Sequence, residues 1–148
     1  MTAVPVTSDI TELASRLRLG VTRLARRLRQ EAEPGITPSL LVTLSTIERA
    51  GAMTIGELST VEQVQPPTMT RFVAALVETG LVVREPDPAD RRVAWVRATP
   101  EGVKLLQRSR KRKDAYLTRR LRDLEPREVA VLDEAADILE RLVSGGAR

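Results

Sequence analysis

The sequence predicts a mostly α-helical protein of about six helices, with one small β-hairpin between the fourth and the fifth. Three observations predict it. Apolar residues recur at three-and-four spacing over most of the chain, which gathers them on one face of a helix. Proline or a capping residue heads successive periodic stretches, where a missing N–H has no intrahelical partner to lose. Only between Leu81 and Ala98 does the pattern turn extended, broken by the turn-forming run PDPADRR.

In chain order, Met1 to Thr7 carries Pro5 and little pattern, and is expected to be a loose arm. From Asp9 the helical spacing begins, with Ser8 or Asp9 as N-cap candidates and Ile10, Leu13, Ala14, Leu17, Val21, Leu24, Ala25 and Leu28 on one face. The other face holds Arg16, Arg18, Arg23, Arg26, Arg27 and Arg29, with no acid between Glu12 and Glu31. A charge run of this kind is ordinarily a solvated face. Glu33, Pro34 and Gly35 break the pattern, and Thr37 and Pro38 read as N-cap and first residue of a second helix. Its apolar face is Leu40, Leu41, Leu44 and Ile47, and Gly51 closes it.

Thr54 and Glu57 stand at capping-box spacing, each side chain able to satisfy the other residue's backbone N–H. The short third helix that follows should bury Ile55, Leu58 and Val61. Gln63 and Val64 leave room for only a tight turn before Gln65, Pro66 and Pro67 start a fourth helix. In that helix Met69, Val73, Leu76 and Val77 should face the core, and Gly80 should end it in the left-handed conformation. Thr68, Thr70 and Arg71 fall off the apolar stripe in its first turns, where hydroxyls and a guanidinium reach phosphates or base edges. Two helices joined by so tight a turn make a helix-turn-helix. Strands from Leu81 to Glu85 and from Val93 to Ala98 then form the hairpin, whose loop ends in Arg91 and Arg92. An arginine at the tip of a thin hairpin suits a narrow minor groove, where negative potential concentrates.

Thr99 and Pro100 cap a long fifth helix to about Leu121, with Val103, Leu106, Leu117 and Leu121 among its apolar positions. Between Lys104 and Arg122 it carries nine Lys or Arg and one acid, Asp114, and the run Arg108 to Lys113 reads as a solvated face or a nonspecific phosphate patch. Pro126 opens the last helix, with Val129, Leu132, Ala136, Leu139 and Val143 on its apolar face, and the tail SGGAR should fray. Asp133, Glu134 and Asp137 lie on one helix without His or Cys, so they read as surface charges rather than as a metal cluster.

A chain of 148 residues is sized for one domain. Within it, residues 37–99 complete a winged helix-turn-helix lobe, whereas residues 9–33 and 100–144 supply three longer amphipathic helices. Folded on so small a module their apolar faces could not all be covered, so they are expected to form a homodimer interface. Two-fold symmetry would set two recognition helices on half-sites about one DNA turn apart. The balance of 24 Lys and Arg against 20 Asp and Glu is only mildly basic, so the placement of charge carries the argument. There is no cysteine and no histidine, which removes disulfides, thiolate sites, the usual general base and the commonest metal ligand. With no nucleophile–base pair and no phosphate-cradling glycine loop, the sequence points away from an enzyme, and no cofactor or metal is expected. No apolar run approaches the ~20 residues of a membrane span, and a soluble cytoplasmic protein is expected.

Together these residues resemble the MarR-type (multiple antibiotic resistance regulator) winged helix-turn-helix repressors, over nearly the whole chain in element order. The most specific part is DPADRRVAWVRATPEG, Asp87 to Gly102, which is similar to the family's Asp-Pro-x-Asp-Arg-Arg hairpin running into a Thr-Pro-x-Gly helix start; it is coupled to QPPTMTRFVAALVETGLVVRE. The resemblance implies a homodimer that binds double-stranded DNA at a pseudo-palindromic operator, usually as a repressor of its own or adjacent genes. It places Thr68, Thr70 and Arg71 on the major-groove helix, makes Arg92 the wing arginine, and makes Asp90 an acid that shapes the wing by pairing with an arginine. Members often release DNA when a small, frequently aromatic, anion binds between dimer helices and DNA-binding lobe. With only Phe72, Trp95 and Tyr116 as aromatics, this chain has little to stack such an effector.

The chain departs from the family at three positions. Gln65 stands where Ser often caps the recognition helix, and is placed to touch DNA instead. Gln63 occupies the position of a common turn glycine. Ala98 replaces a larger apolar residue. The DNA-contact set expected from sequence is therefore Gln65, Thr68, Thr70, Arg71, Arg91 and Arg92, with Asp87 and Asp90 shaping the wing; the competing reading is a winged-helix protein-interaction module without sequence-specific DNA binding.

Overall fold

A computed structural model describes residues 7–145, the side chains of Thr7 and Ser8 excepted. Residues 1–6 of the expected arm and the end of the tail lie outside the described residues, whereas Thr7 and Ser8 already stand within the first helix, so Ser8 is not its cap. The described chain runs α1 (Thr7–Gln30), α2 (Pro38–Ala50), β1 (Met53–Thr54), α3 (Ile55–Glu62), α4 (Pro66–Glu78), β2 (Val82–Pro86), β3 (Ala94–Ala98), α5 (Pro100–Arg122) and α6 (Pro126–Ser144). The six helices stand in the expected order. Because α1 begins before Asp9, that residue is not a cap; it sits in the first turn, where a carboxylate complements the helix dipole.

The sheet has three strands rather than a hairpin's two. Order β1-β3-β2 is antiparallel throughout, with Val82 opposite Ala98, Arg84 opposite Val96 and Met53 also opposite Val96. Two residues are too few to display an alternating pattern, so β1 left no periodic signal in the sequence. Thr54 both ends this strand and caps α3: its hydroxyl accepts from the Glu57 N–H at 3.1 Å, and the Glu57 carboxylate accepts from the Thr54 N–H at 2.9 Å.

The core lies where these elements meet. Leu41, Leu44 and Ile47 of α2, Leu58 of α3, Met69, Val73 and Leu76 of α4, Met53, Val82 and Val96 of the sheet and Leu106 of α5 form one buried cluster. Two expected members are absent from it: Val61 is 61% exposed and Val77 38% exposed. Each stands in the last turn of its helix, past the buried Leu58 of α3 and Leu76 of α4. The α3–α4 turn is made by Gln63 in the left-handed conformation, φ 53°, the one non-glycine residue of positive φ among those described. Gly80, φ 74°, ends α4 as expected.

The wing connects to α5 through a tight joint. The Thr99 N–H donates to the Leu81 carbonyl at 3.0 Å, and the Thr99 hydroxyl donates to the Gly80 carbonyl at 2.6 Å while accepting from the Gly102 N–H at 3.1 Å. A Cβ on Gly102 would collide with the Leu81 carbonyl oxygen, which is the physical need behind the glycine of the Thr-Pro-x-Gly segment. The basic run of α5 is not simply solvated: Arg108 pairs with Glu33 at 3.2 Å, Arg110 with Glu48 at 3.2 Å, and Arg112 donates to the Glu31 carbonyl at 3.1 Å. These contacts tie α5 to α2 and to the loop before it.

By its internal contacts the chain divides into two compact units, Met1–Lys113 and Asp114–Arg148. The first holds the core just described. In the second, the Arg120 guanidinium lies 5.5 Å from the Tyr116 ring centroid, and Thr118, Leu121, Arg122, Leu124, Pro126 and Val129 line an open hollow of about 490 Å³ at the α5–α6 elbow. No residue of α6 is buried, and among the described residues no helix is long and apolar enough to cross a membrane.

Candidate nucleic-acid interface

Helix α4 begins at a double proline because neither ring needs a backbone donor in the first turn. Gln65 precedes it, exposed, and makes no side-chain cap bond, so its amide is not spent on the helix. Met69, Val73 and Leu76 anchor the buried side, leaving Thr70 and Arg71 exposed and Thr68 half-buried. The Thr70 hydroxyl donates to the Pro66 carbonyl at 2.9 Å, which orients its lone pairs outward, and the Arg71 guanidinium leans on the Thr68 hydroxyl at 3.4 Å. A bond that long and exposed is easily exchanged for a phosphate or a base edge.

The wing is organised by two aspartates. Asp87 Oδ1 accepts from the Ala89 and Asp90 N–H groups at 2.8 and 3.1 Å, and Oδ2 accepts from the Trp95 indole N–H at 2.7 Å. The turn closes with the Asp87 N–H on the Val93 carbonyl at 2.9 Å and the Val93 N–H on the Asp90 carbonyl at 3.0 Å. Asp90 in turn accepts from the Arg92 N–H at 3.0 Å and, bidentately, from one edge of its guanidinium, Nε at 3.1 Å and Nη2 at 3.2 Å. Donation from Trp95, then from the Ala89 and Asp90 N–H groups, holds the Asp87 carboxyl below its ordinary value; the Arg92 guanidinium, then its backbone N–H, does the same for Asp90. The Arg92 side chain is nonetheless 91% exposed, held at its base with the guanidinium facing solvent. Arg91 is exposed and makes no hydrogen bond or ion pair among the described residues.

The structure brings Thr70 and Arg92 to one groove of about 380 Å³, lined also by Thr54, Ile55, Gly56, Arg84, Val93 and Ala94. Its lining contains two guanidinium groups and no carboxylate. Gln65, Thr68, Arg71 and Arg91 stand beside it, on the first turns of α4 and at the wing tip, and do not line it. Arg84 is the residue that sequence reasoning missed. It occupies an inward position of β2, opposite buried Val96, yet is exposed. A charge at a core-facing position of an alternating strand was the available signal. Trp95, half-buried, joins the wing's polar frame through its indole N–H, which is donated to Asp87.

Among the described residues no group of three or more carboxylates stands where it could hold a metal ion. The MarR family model matches residues 36–94, the span of the lobe and its wing. An uncharacterised HTH-type transcriptional regulator of Mycobacterium leprae is 39% identical over 132 residues, covering 88% of this chain and 92% of that protein. A crystal structure of a protein from Pseudomonas aeruginosa PA01 superposes with a TM-score of 0.83 at 35% identity, over 94% of this chain and 98% of that one. A mutant of E. coli MarR, crystallised with operator DNA, superposes with a TM-score of 0.61 at 25% identity, over 92% and 99% of the two chains. With its helix order, its three-stranded winged sheet and these relatives, the chain belongs to the MarR family of winged helix-turn-helix transcriptional regulators.

Proposed function

We propose that this protein is a homodimeric, sequence-specific DNA-binding regulator that acts in the cytoplasm on a pseudo-palindromic operator, as a repressor of its own or adjacent genes. The observation that carries the reading is the groove between recognition helix and wing, where Thr70, Arg84 and Arg92 converge without a carboxylate in the lining. A polyanion fits that surface. Gln65, Thr68, Thr70 and Arg71 enter the major groove, Arg91 and Arg92 approach the adjacent minor groove, and Asp87 and Asp90 hold the wing in shape. Residues 37–99 are the DNA-binding lobe, and α1, α5 and α6 are the dimerisation region; the apolar faces of α1 and α6 are exposed in the single chain, as is Leu121 of α5. The protein acts by binding and not by catalysis.

An effector that released the DNA would enter beside Arg29 and Lys113, which with Ala32, Glu33, Ile36, Pro38, Leu41 and Val42 line a hollow of about 80 Å³. Its two cations suit a small anion. The space holds little more than water as it stands, so an aromatic anion would have to widen it.

The deciding experiment is selection of bound duplexes from a randomised pool at near-physiological salt, followed by titration of the winner against scrambled DNA. An inverted repeat with half-sites about one turn apart is the expected result. Binding that no sequence competes away, and that falls steeply with salt, would instead assign the fold to protein interaction.

A further inference from the structure

A hollow of about 230 Å³ lies between the start of α2, the α3–α4 turn and α4, walled by Pro38, Val42, Val64 and Phe72. Its lining carries one charged group, the half-buried Glu62 carboxylate, and no cation. Glu62 Oε1 accepts from the Thr46 hydroxyl, which pins the end of α3 to α2, and no arginine or lysine pairs with Glu62 among the described residues. The Thr43 hydroxyl, also in the lining, donates to the Ser39 carbonyl at 3.0 Å. The apolar walls are equally uncovered: Val42 is 51% exposed, and Phe72, although packed against the core, is only half-buried. No residue of α1, α5 or α6 lines the hollow, so it is complete within the lobe. Pro38 and Val42 also line the hollow beside Arg29 and Lys113, but the two differ in charge: that one carries two cations and Glu33, this one a lone carboxylate.

We propose that this hollow binds a small organic cation with an apolar body, an alkyl- or arylalkylammonium, whose charge meets Glu62 and whose hydrocarbon covers Phe72, Val42 and Val64. A carboxylate drawn partly out of water is costly unless a cation compensates it, and here Thr46 supplies a hydrogen bond but no charge. An ammonium satisfies the second oxygen with a charge-assisted hydrogen bond, and Phe72 offers a ring against which an aromatic or cationic group packs. A metal ion is a poor occupant, since it needs several oxygen ligands and the lining offers a single carboxylate among apolar side chains. The size follows from the space: at ~30 Å³ of liquid volume per water the hollow accommodates about eight, the bulk of benzylammonium rather than of a drug-sized ligand. Val64 and Phe72 stand on either side of the stretch Gln65 to Arg71, so the occupant touches both ends of the segment proposed to meet DNA. The site itself needs neither DNA nor a second copy, and so stands apart from the dimer and operator readings.

The test is an amide-detected NMR titration of the full chain with benzylammonium chloride, with benzyl alcohol and benzoate as neutral and anionic counterparts of similar size. For the cation, saturable shifts centred on Val42, Glu62, Val64 and Phe72 are expected, with a Kd on the order of 1 mM. The alcohol and benzoate should bind these residues at least roughly tenfold more weakly. Glu62→Gln keeps an acceptor for Thr46 and removes the charge, so it should weaken the cation about tenfold while leaving the alcohol unchanged; circular dichroism verifies its fold. Val42→Lys, at an exposed position, sets the chain's own ammonium beside the hollow and should abolish the cation's shifts; it decides if Glu62→Gln does not fold. Shifts that do not saturate or that centre elsewhere, equal binding of cation and alcohol, or cation binding unchanged in the deciding variant would each overturn the inference.

Discussion

Arg92 shows how a single residue is prepared for a distant partner. Its backbone N–H and one edge of its guanidinium are held by Asp90, yet the side chain is exposed, so in the DNA-binding role proposed above the arginine is positioned before DNA arrives. Pre-organisation of this kind reduces the ordering cost of binding. Arg92→Ala should weaken operator binding by about 1 to 3 kcal/mol in a fluorescence anisotropy titration, and unchanged affinity would remove Arg92 from the interface. Asp87 does the equivalent work for the turn through the sole tryptophan. Its carboxyl lies below the ordinary value of 3.8, so the stabilisation it supplies is complete above that value and is lost as pH falls through the lower folded value. Trp95 emission should therefore be flat at neutral pH, should change only in strongly acidic solution, and should lose that transition in Asp87→Asn. Asp90 was legible as a wing acid from its motif. The bond from Trp95 to Asp87 was not, because it spans eight residues of chain that only the hairpin register brings together.

The elements were legible to the degree that they announce their ends. Thr37 with Pro38, Thr54 with Glu57, and Pro66 after Gln65 each start a helix where expected, because the cap is a local arrangement of backbone and side chain. β1 has no such local signature, and its existence depends on β3 offering a free edge. The joint between wing and α5 also depends on a neighbour, the Leu81 carbonyl over Gly102. Gly102→Ala should force that carbonyl away and cost about 1 to 3 kcal/mol of stability, read as a lowered urea midpoint at unchanged slope. Wild-type stability would show that the joint gives way freely. The basic run of α5 marks the limit of reading charge from sequence. Arg108, Arg110 and Arg112 find Glu33, Glu48 and the Glu31 carbonyl, partners more than sixty residues away that no helical period reveals.

For the whole molecule, the decisive contrast is between a lobe whose core is closed and terminal helices whose apolar faces are open. Leu44, Ile47, Leu58, Met69, Val73 and Leu76 are fully buried within one chain, whereas Leu132, Leu139 and Val143 are exposed. Two bound half-sites strengthen a complex only if the two lobes are physically linked, through the effective concentration that linkage creates. Leu139→Asp should therefore sediment as a monomer with the lobe still folded, and should bind a full operator about 100-fold more weakly than the natural chain. Retained dimerisation would place Leu139 outside the interface.

What the sequence by itself determined was the order of the helices, the place of the wing, the capping of α2 and α3 and the family, since each rests on periodicity, caps or a motif contained within a few consecutive residues. Only the tertiary structure decided the third strand, the exposure of Val61 and Val77, the tethering of the α5 arginines, the Trp95 bond to Asp87 and the entry of Arg84 into the basic groove. The physical reason is common to all of these. Local hydrogen bonding and helical period are encoded by neighbours in the chain, whereas the partner of a strand edge, an indole N–H or a guanidinium is chosen by where the fold brings distant backbone together.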